Sequence, residues 1–283
     1  MKMTELAPAK LNLTLEVGEK SSDGYHKVQS VMTCAALYDE ITLESGTGGD
    51  ITMTCDCSGL PCDETNLCLR AARLFFKKTG IACDGLHISL KKRIPMQAGL
   101  GGGSSDAAAV LRALRTLYNS GISDGALESM GAKLGSDVPF FIRGGTQLAT
   151  GRGEVVSPLP PLAAGWFVVV KPAEGYATAE MYHRLDKPGS VLVRNSRYMQ
   201  DAVAANNVHA VAAELHNSFE RVVPKGSSLR TIKDALRARG ALGTLLSGSG
   251  SAVFGLFDDR EAALAAADAL RETWPLTFLA QPV

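Results

Sequence analysis

Along its first 90 residues the chain alternates two hydrophobic periods. Leu11-Asn-Leu-Thr-Leu-Glu-Val17 carries an apolar side chain at every second place, the pattern of a strand with one buried face. A turn follows at Ser21-Ser-Asp-Gly24. A second strand is predicted from about 27 to 37, with shorter ones at 41–44 and 51–54. The period changes at Asp63-Glu-Thr-Asn66, which reads as a helix start. Leu67, Ala71, Leu74 and Phe75 then share one helical face as far as Lys78. Residues 86–90 return to the strand pattern and feed a glycine-rich segment. Beyond it, Val110, Leu111, Leu114, Leu117 and Tyr118 form the apolar stripe of another helix, with Ser104 or Ser105 as its N-cap.

The second half restarts after Gly153. Pro158, Pro160 and Pro161 stand just before the apolar strand 166–170 and divide the chain into expected domains of residues 1–157 and 158–283. Helices are predicted at 177–185, 228–239 and 260–272, and strands at 241–246, 252–257 and 276–280. The order helix, strand, strand, helix, strand implies an α+β arrangement with helices on one face of an antiparallel sheet.

A length of 283 residues suits one large domain or two modest ones. Apolar residues are 46% and charged residues 20%, a balance that excludes a largely disordered chain. Lys plus Arg and Asp plus Glu are 29 each, so no excess charge draws the protein to nucleic acid or an anionic membrane. Any phosphate it handles must be held by a local site. The opening Met-Lys-Met-Thr-Glu-Leu carries an acid and lacks the apolar core of a signal peptide. The longest apolar run, 162–170, is too short to cross a bilayer. A soluble, cytoplasmic protein is therefore expected. Cys55, Cys57, Cys62 and Cys68 cluster, but their spacing is irregular and Cys68 falls in a predicted helix. They read as reduced cysteines rather than as a disulfide framework or a zinc site.

The most informative stretch is Ile94-Pro-Met-Gln-Ala-Gly-Leu-Gly-Gly-Gly-Ser-Ser-Asp106. A strand ends, Gly99, Gly101, Gly102 and Gly103 follow, and a helix begins. Glycines let backbone N–H groups approach a polyphosphate without Cβ clashes, and the helix start adds unpaired donors and a positive dipole end. No Lys precedes the serines, so this is not a Walker A loop. Ser104 occupies the place of the third glycine of a dinucleotide fingerprint, so it is not that either. A plain strand-to-helix connection needs far less glycine, and anion binding is the better reading.

Two further segments can carry chemistry. Asp137 sits in Gly135-Ser-Asp-Val-Pro-Phe140, where an acid either caps a helix or serves as a partly buried general base. Ser247-Gly-Ser-Gly-Ser251 joins two predicted strands, either as a hairpin turn or as a second backbone surface facing a nucleotide.

Together these segments resemble the GHMP kinases, the superfamily of galacto-, homoserine, mevalonate and phosphomevalonate kinases. Pro95-x-x-x-Gly-Leu-Gly-Gly-Gly-Ser-Ser105 is similar to that family's phosphate loop, and Leu246-Ser-Gly-Ser-Gly-Ser-Ala252 to its C-terminal glycine motif. Ala7-Pro-Ala-Lys-Leu-Asn-Leu13, Asp23-Gly-Tyr-His26, Asp63-Glu-Thr-Asn-Leu67 and Thr178-Ala-Glu-Met-Tyr182 resemble the branch whose substrate carries a cytidyl diphosphate. The resemblance implies a ribosomal-S5-like N-terminal domain and a ferredoxin-like C-terminal domain with the active site between them. It implies a kinase that uses ATP and Mg²⁺ on a small molecule, as a monomer or weak homodimer.

By position, Lys10 and Asp137 would be the catalytic pair. Asn66 and Lys92 would lie near adenine. Pro95, Met96, Gln97, Ala98, Gly99, Leu100, Gly101, Gly102, Gly103, Ser104 and Ser105 would hold the ATP phosphates, with Ser105 touching the metal. Asn12, Tyr25, His26, Thr178 and Tyr182 would line the cytidyl pocket. Plain structural readings stand beside these: Lys10 as a solvated strand-end lysine, Tyr25 as core, His26 acting through its backbone, and Lys91, Lys92 and Arg93 as a solvated face. Gln97-Ala98 departs from the family's longer glycine run, and Ser136 stands where Ala is common. The rival assignments are another GHMP-type kinase, acting on mevalonate, homoserine or a sugar, and a non-catalytic nucleotide-binding module.

Overall fold

The alternating and helical stripes become strands and helices across the described residues, 1–20, 24–46, 48–186 and 196–283, of a computed structural model. Most of the expected turn at 21–24 lies outside them. The first half runs β1 (Lys2–Asn12), β2 (Thr14–Lys20), β3 (His26–Ser45), β4 (Ile51–Cys55), α1 (Leu67–Thr79), β5 (Leu86–Lys91), α2 (Gly102–Leu117), α3 (Asp124–Gly131), α4 (Val138–Arg143), β6 (Thr146–Thr150) and β7 (Val155–Pro158). The second half runs β8 (Trp166–Val170), α5 (Thr178–Leu185), α6 (Arg197–Ala204), α7 (Val208–Glu214), β9 (His216–Asn217), a 3₁₀ turn (Ser218–Arg221), α8 (Leu229–Arg237), β10 (Gly243–Leu246), β11 (Val253–Phe257), α9 (Arg260–Arg271) and β12 (Thr277–Ala280).

Two boundaries differ from the sequence reading. The strand expected at 11–17 is broken at Leu13, whose backbone N–H donates to Val31 O at 2.8 Å. The strands expected at 27–37 and 41–44 are one strand, β3, with Asp39 fully buried at its middle. An acid there reads as a strand break, but this one has its hydrogen bonds supplied, as described below.

The chain forms two compact units, each discontinuous in sequence. The first comprises Met1–Ala9, Tyr38–Ile94 and Gly101–Arg143. In it the end of β3 pairs antiparallel with β5, Glu40 opposite Lys91 and Ser45 opposite Leu86, and β4 pairs parallel with β5. Helix α1 packs on α2, and α4 on α2 and α3. Phe75 of α1 and Phe140 and Phe141 of α4 are fully buried, large apolar side chains that contribute about 1.5–3 kcal/mol each on leaving water.

The second unit comprises Lys10–Leu37, Pro95–Leu100 and Gly144–Val283. Its four-stranded sheet has the order β10-β11-β8-β12 with every pair antiparallel. Val168, Val170, Val253 and Phe257 share one face, and Ile232 and Leu236 of α8 with Ala263, Ala267 and Leu270 of α9 bury it. This order, with α8 before β10 and α9 between β11 and β12, is the ferredoxin-like layer the resemblance implies. Among the described residues no helix is long and apolar enough to cross a membrane.

Candidate functional site

In the first unit the glycine segment starts α2 differently from expectation. Gly101, in the left-handed region at φ 71°, is the N-cap, no side chain caps the helix, and Ser104 and Ser105 lie inside its first turn. This corrects the expected serine cap. A serine cap would spend a hydroxyl on the first N–H groups, whereas a left-handed glycine turns the chain without occupying them. Ser105 Oγ and Asp106 Oδ1 are both buried and have no hydrogen-bond partner. Hard, unpartnered oxygens of this kind suit a cation such as Mg²⁺. Among the described residues no three His, Cys, Asp or Glu side chains gather into a metal cage, and Mg²⁺ bound largely through phosphate oxygens and water needs none.

Lys92 is no part of a solvated face. Its side chain is 6% exposed, and Nζ donates to Asp39 Oδ2 and, at 2.8 Å, to Asp106 Oδ2. Its neighbours are solvated as expected, Lys91 pairing with Glu40 and Arg93 with Asp56. Burial pushes the Asp106 carboxyl up to about 7. The Lys92 ammonium opposes that shift, and the Asp39 carboxylate adds to it. Asn66 is the N-cap of α1, its Oδ1 accepting from the Cys68 N–H at 2.9 Å and its Nδ2 donating to Pro61 O at 2.6 Å. The first turns of α1 and α2 approach closely, since a Cβ on Gly103 would lie 3.9 Å from Leu67 Cδ1.

Asp137 is half-buried and immediately precedes α4. Two contacts set its place. A Cβ on Gly135 would lie 3.8 Å from Ser104 Oγ in the first turn of α2. Arg112 of α2 donates to Phe141 O in α4 and is itself held by Glu5 at 2.8 Å. The acid motif and the start of α2 are therefore neighbours within one unit.

The second unit holds Lys10, buried at 4% exposure, so the solvated strand-end reading does not apply. Its Nζ donates to Asn12 Oδ1, and Asn12 Nδ2 donates onward to Ser30 Oγ at 2.8 Å. The Lys10 backbone N–H donates to Leu100 O at 2.9 Å, tying it to the glycine segment. The loop after β10 lies against the same segment. Ala252 N–H donates to Ala98 O at 3.0 Å, and a Cβ on Gly248 would stand 3.1 Å from Lys10 Nζ. Pro95 and Met96 precede these contacts, with Met96 exposed. Gln97 adopts φ 51°, a left-handed conformation more natural to glycine.

The aromatic and polar residues expected around a base also lie in this unit. The His26 ring has Gly18 O at 2.7 Å from Nδ1 and Asp186 Oδ1 at 2.9 Å from Nε2, and it stacks on Tyr182 at 5.5 Å. Tyr182 meets Phe219 edge-on at 4.9 Å. Tyr25 is 54% exposed, not core, and carries the Arg152 guanidinium over one ring face at 4.1 Å. Thr178 opens α5 with Oγ1 3.0 Å from Ser249 Oγ.

Four supporting residues escape sequence reasoning. Asn217 Nδ2 donates to both Leu246 O and Gly248 O at 2.8 Å, fixing the second glycine loop. Asp186 fixes the His26 ring, and Asp39 and Asp106 enclose Lys92. For Asp39 and Asp106 the hint in the sequence is an acid next to apolar runs; Asn217 and Asp186 stand in polar stretches that give none.

The chain matches the models of the GHMP kinases N terminal domain over residues 66–145 and of the GHMP kinases C terminal over residues 199–276. It is 43% identical over 278 residues to the 4-diphosphocytidyl-2-C-methyl-D-erythritol kinase of Pelotomaculum thermopropionicum, covering 96% of this chain and 95% of that one. A crystal structure of a 4-(cytidine 5'-diphospho)-2C-methyl-D-erythritol kinase superposes with a TM-score of 0.85 at 35% identity, covering 99% of each chain. Homoserine kinase from Cytophaga hutchinsonii shares the fold, with a TM-score of 0.77 and 19% identity over 99% of this chain and 95% of that one.

Proposed function

The chain belongs to the family of 4-diphosphocytidyl-2-C-methyl-D-erythritol kinases, a branch of the GHMP kinases, and from that premise we propose the following reaction and residue roles. The γ-phosphoryl group of ATP passes to the 2-hydroxyl of 4-diphosphocytidyl-2-C-methyl-D-erythritol, giving the 2-phosphate and ADP in the non-mevalonate route to isoprenoid precursors. The carrying observation is the contrast in identity at similar fold: 35% to a kinase of this branch against 19% to homoserine kinase, each over nearly the whole chain.

Phosphoryl transfer asks a protein for alignment and charge compensation more than for covalent chemistry. The backbone of residues 99–105 and the start of α2 hold the phosphates, a role supported by the left-handed, side-chain-free cap at Gly101. Ser105 Oγ contributes to holding Mg²⁺, which when bound offsets phosphate charge. The support is its buried, unpartnered oxygen. Asp137 accepts the proton of the attacking hydroxyl, and Lys10 offsets charge building on the transferring group. The support for Lys10 is a buried ammonium held by Asn12 beside the Gly248 backbone. Tyr25, His26, Thr178 and Tyr182 bind the cytidyl end, where stacked aromatics read a flat base. Asn66 and Lys92 serve the nucleotide's other end.

Product analysis tests this reading. Phosphorus NMR of the reaction with ATP and Mg²⁺ should reveal one new phosphomonoester on the methylerythritol, an intact cytidyl diphosphate, and ADP in equal amount. Release of CMP, or inorganic phosphate with no ester, would reject it.

A further inference from the structure

Asp39 is fully buried in the middle of a strand, where an ionised carboxylate costs several kcal/mol unless donors surround it. Three do. Oδ1 accepts the backbone N–H of Arg93 at 2.6 Å and of Ile94 at 2.8 Å, and Oδ2 accepts from Lys92 Nζ. Residues 92–94 carry the chain from β5 into the glycine segment, so this one carboxylate fixes where that segment departs.

Lys92 extends the tie. Its Nζ reaches Asp106 Oδ2 in the first turn of α2 at 2.8 Å and lies directly beneath Gly102, where a Cβ would stand 2.9 Å from it. One buried cluster thus joins β3, the exit of β5 and the start of α2. Its composition is not that of a stability device. Two carboxylates share one ammonium, and Asp106 Oδ1 is left buried without a partner, a cost that folds seldom carry without a functional reason.

We propose that Asp39 is a positioning residue for the phosphates of the nucleotide, acting through Lys92 on the start of α2. The inference rests on the kinase reading above. It assigns Lys92 an effect transmitted to phosphate, beyond the adenine contact that the resemblance implies.

The test compares Asp39→Asn with wild type. The amide oxygen can still accept from Arg93 and Ile94, but the group offers no charge to Lys92. Four quantities are read: the KM for ATP, the KM for the alcohol substrate, the thermal midpoint, and the Ki of inorganic tripolyphosphate competing with ATP. The KM for ATP and the Ki of tripolyphosphate should rise together by roughly tenfold, the worth of a hydrogen bond to a charged group. The alcohol KM should hold, and the midpoint should fall, because Lys92 keeps only Asp106 as an ionic partner. Lys92→Gln should raise the same two constants, and the double variant should be no worse than Lys92→Gln alone, because Asp39 acts through Lys92. Equal losses toward both substrates would mean a merely structural role. A raised KM for ATP with an unchanged tripolyphosphate Ki would mean an adenine contact. Either result, unchanged constants, or failure of tripolyphosphate to compete in wild type would overturn the proposal. Absence of any ATP-dependent phosphorylation by wild type would instead sink the kinase reading itself.

Discussion

Gly99 and Ser247 touch so closely that a Cβ on Gly99 would lie 2.0 Å from the Ser247 carbonyl oxygen, while Ser247 Oγ donates to Gly99 O at 3.0 Å. Residues 95–100 of the first glycine motif and the second glycine motif, distant in sequence, thus touch within the second unit. Gly99→Ala should force them apart and raise the KM for ATP at least tenfold, about 1.4 kcal/mol. Gly101→Val should do the same by placing a β-branched residue at φ 71°. Steady-state kinetics on folded variants checks both, and an unchanged KM would remove the loop from nucleotide binding.

Asp137→Asn should lower kcat by roughly two to four orders of magnitude, the range for a positioned general base. The KM for the alcohol should hold, because the amide is nearly the same size. Turnover within a few-fold of wild type would leave Asp137 a structural residue at the start of α4.

Tyr25→Ala should cost about 1–3 kcal/mol in kcat/KM, the worth of a base stacked on one ring. The loss should disappear with a substrate truncated to lack the cytidyl group. A loss of the same size with both substrates would place the effect on folding or on Arg152, which covers one face of the ring.

Asp186 gives a pH-dependent test of the His26 support. Hydrogen bonds from Lys20 and then His26 hold its carboxyl below the usual carboxylate range. A depressed folded-state value contributes stability above the unfolded value, near pH 4, and loses it as pH falls through the folded value. Asp186→Asn should therefore be less stable than wild type at pH 7 and converge with it only after the pH has fallen through the folded value, toward about pH 2. Urea unfolding at the two pH values reads the difference, and a gap that persists in acid would assign the effect to packing.

Periodicity made the regular elements legible because burial on one face imposes it, as in α9 and in β8, β11 and β12. The helix start at 63–66 is likewise legible, since capping acts through nearest neighbours, and the structure makes Asn66 the cap. What escaped depends on distant partners. Asp39 reads as a break in β3 until Lys92, Arg93 and Ile94 supply its donors. Lys92 reads as a nucleotide contact or as one of three solvated cations until Asp39 and Asp106 enclose it. Tyr25 and Tyr182 are far apart in the chain, yet both belong to the second unit, because the compact units interleave in sequence. The glycine and acid motifs are legible because each is a local run; the side chains that hold them in place are not.

The central claim is the substrate, and a panel of separate kinase assays tests it most directly. With ATP, ADP release should be followed for 4-diphosphocytidyl-2-C-methylerythritol, methylerythritol phosphate, mevalonate and homoserine. The cytidyl diphosphate should have the highest kcat/KM, and methylerythritol phosphate should fall behind it by at least the 1–3 kcal/mol of one base-stacking contact, roughly 5- to 150-fold. Faster turnover of mevalonate or homoserine would contradict the assignment while leaving the kinase fold intact.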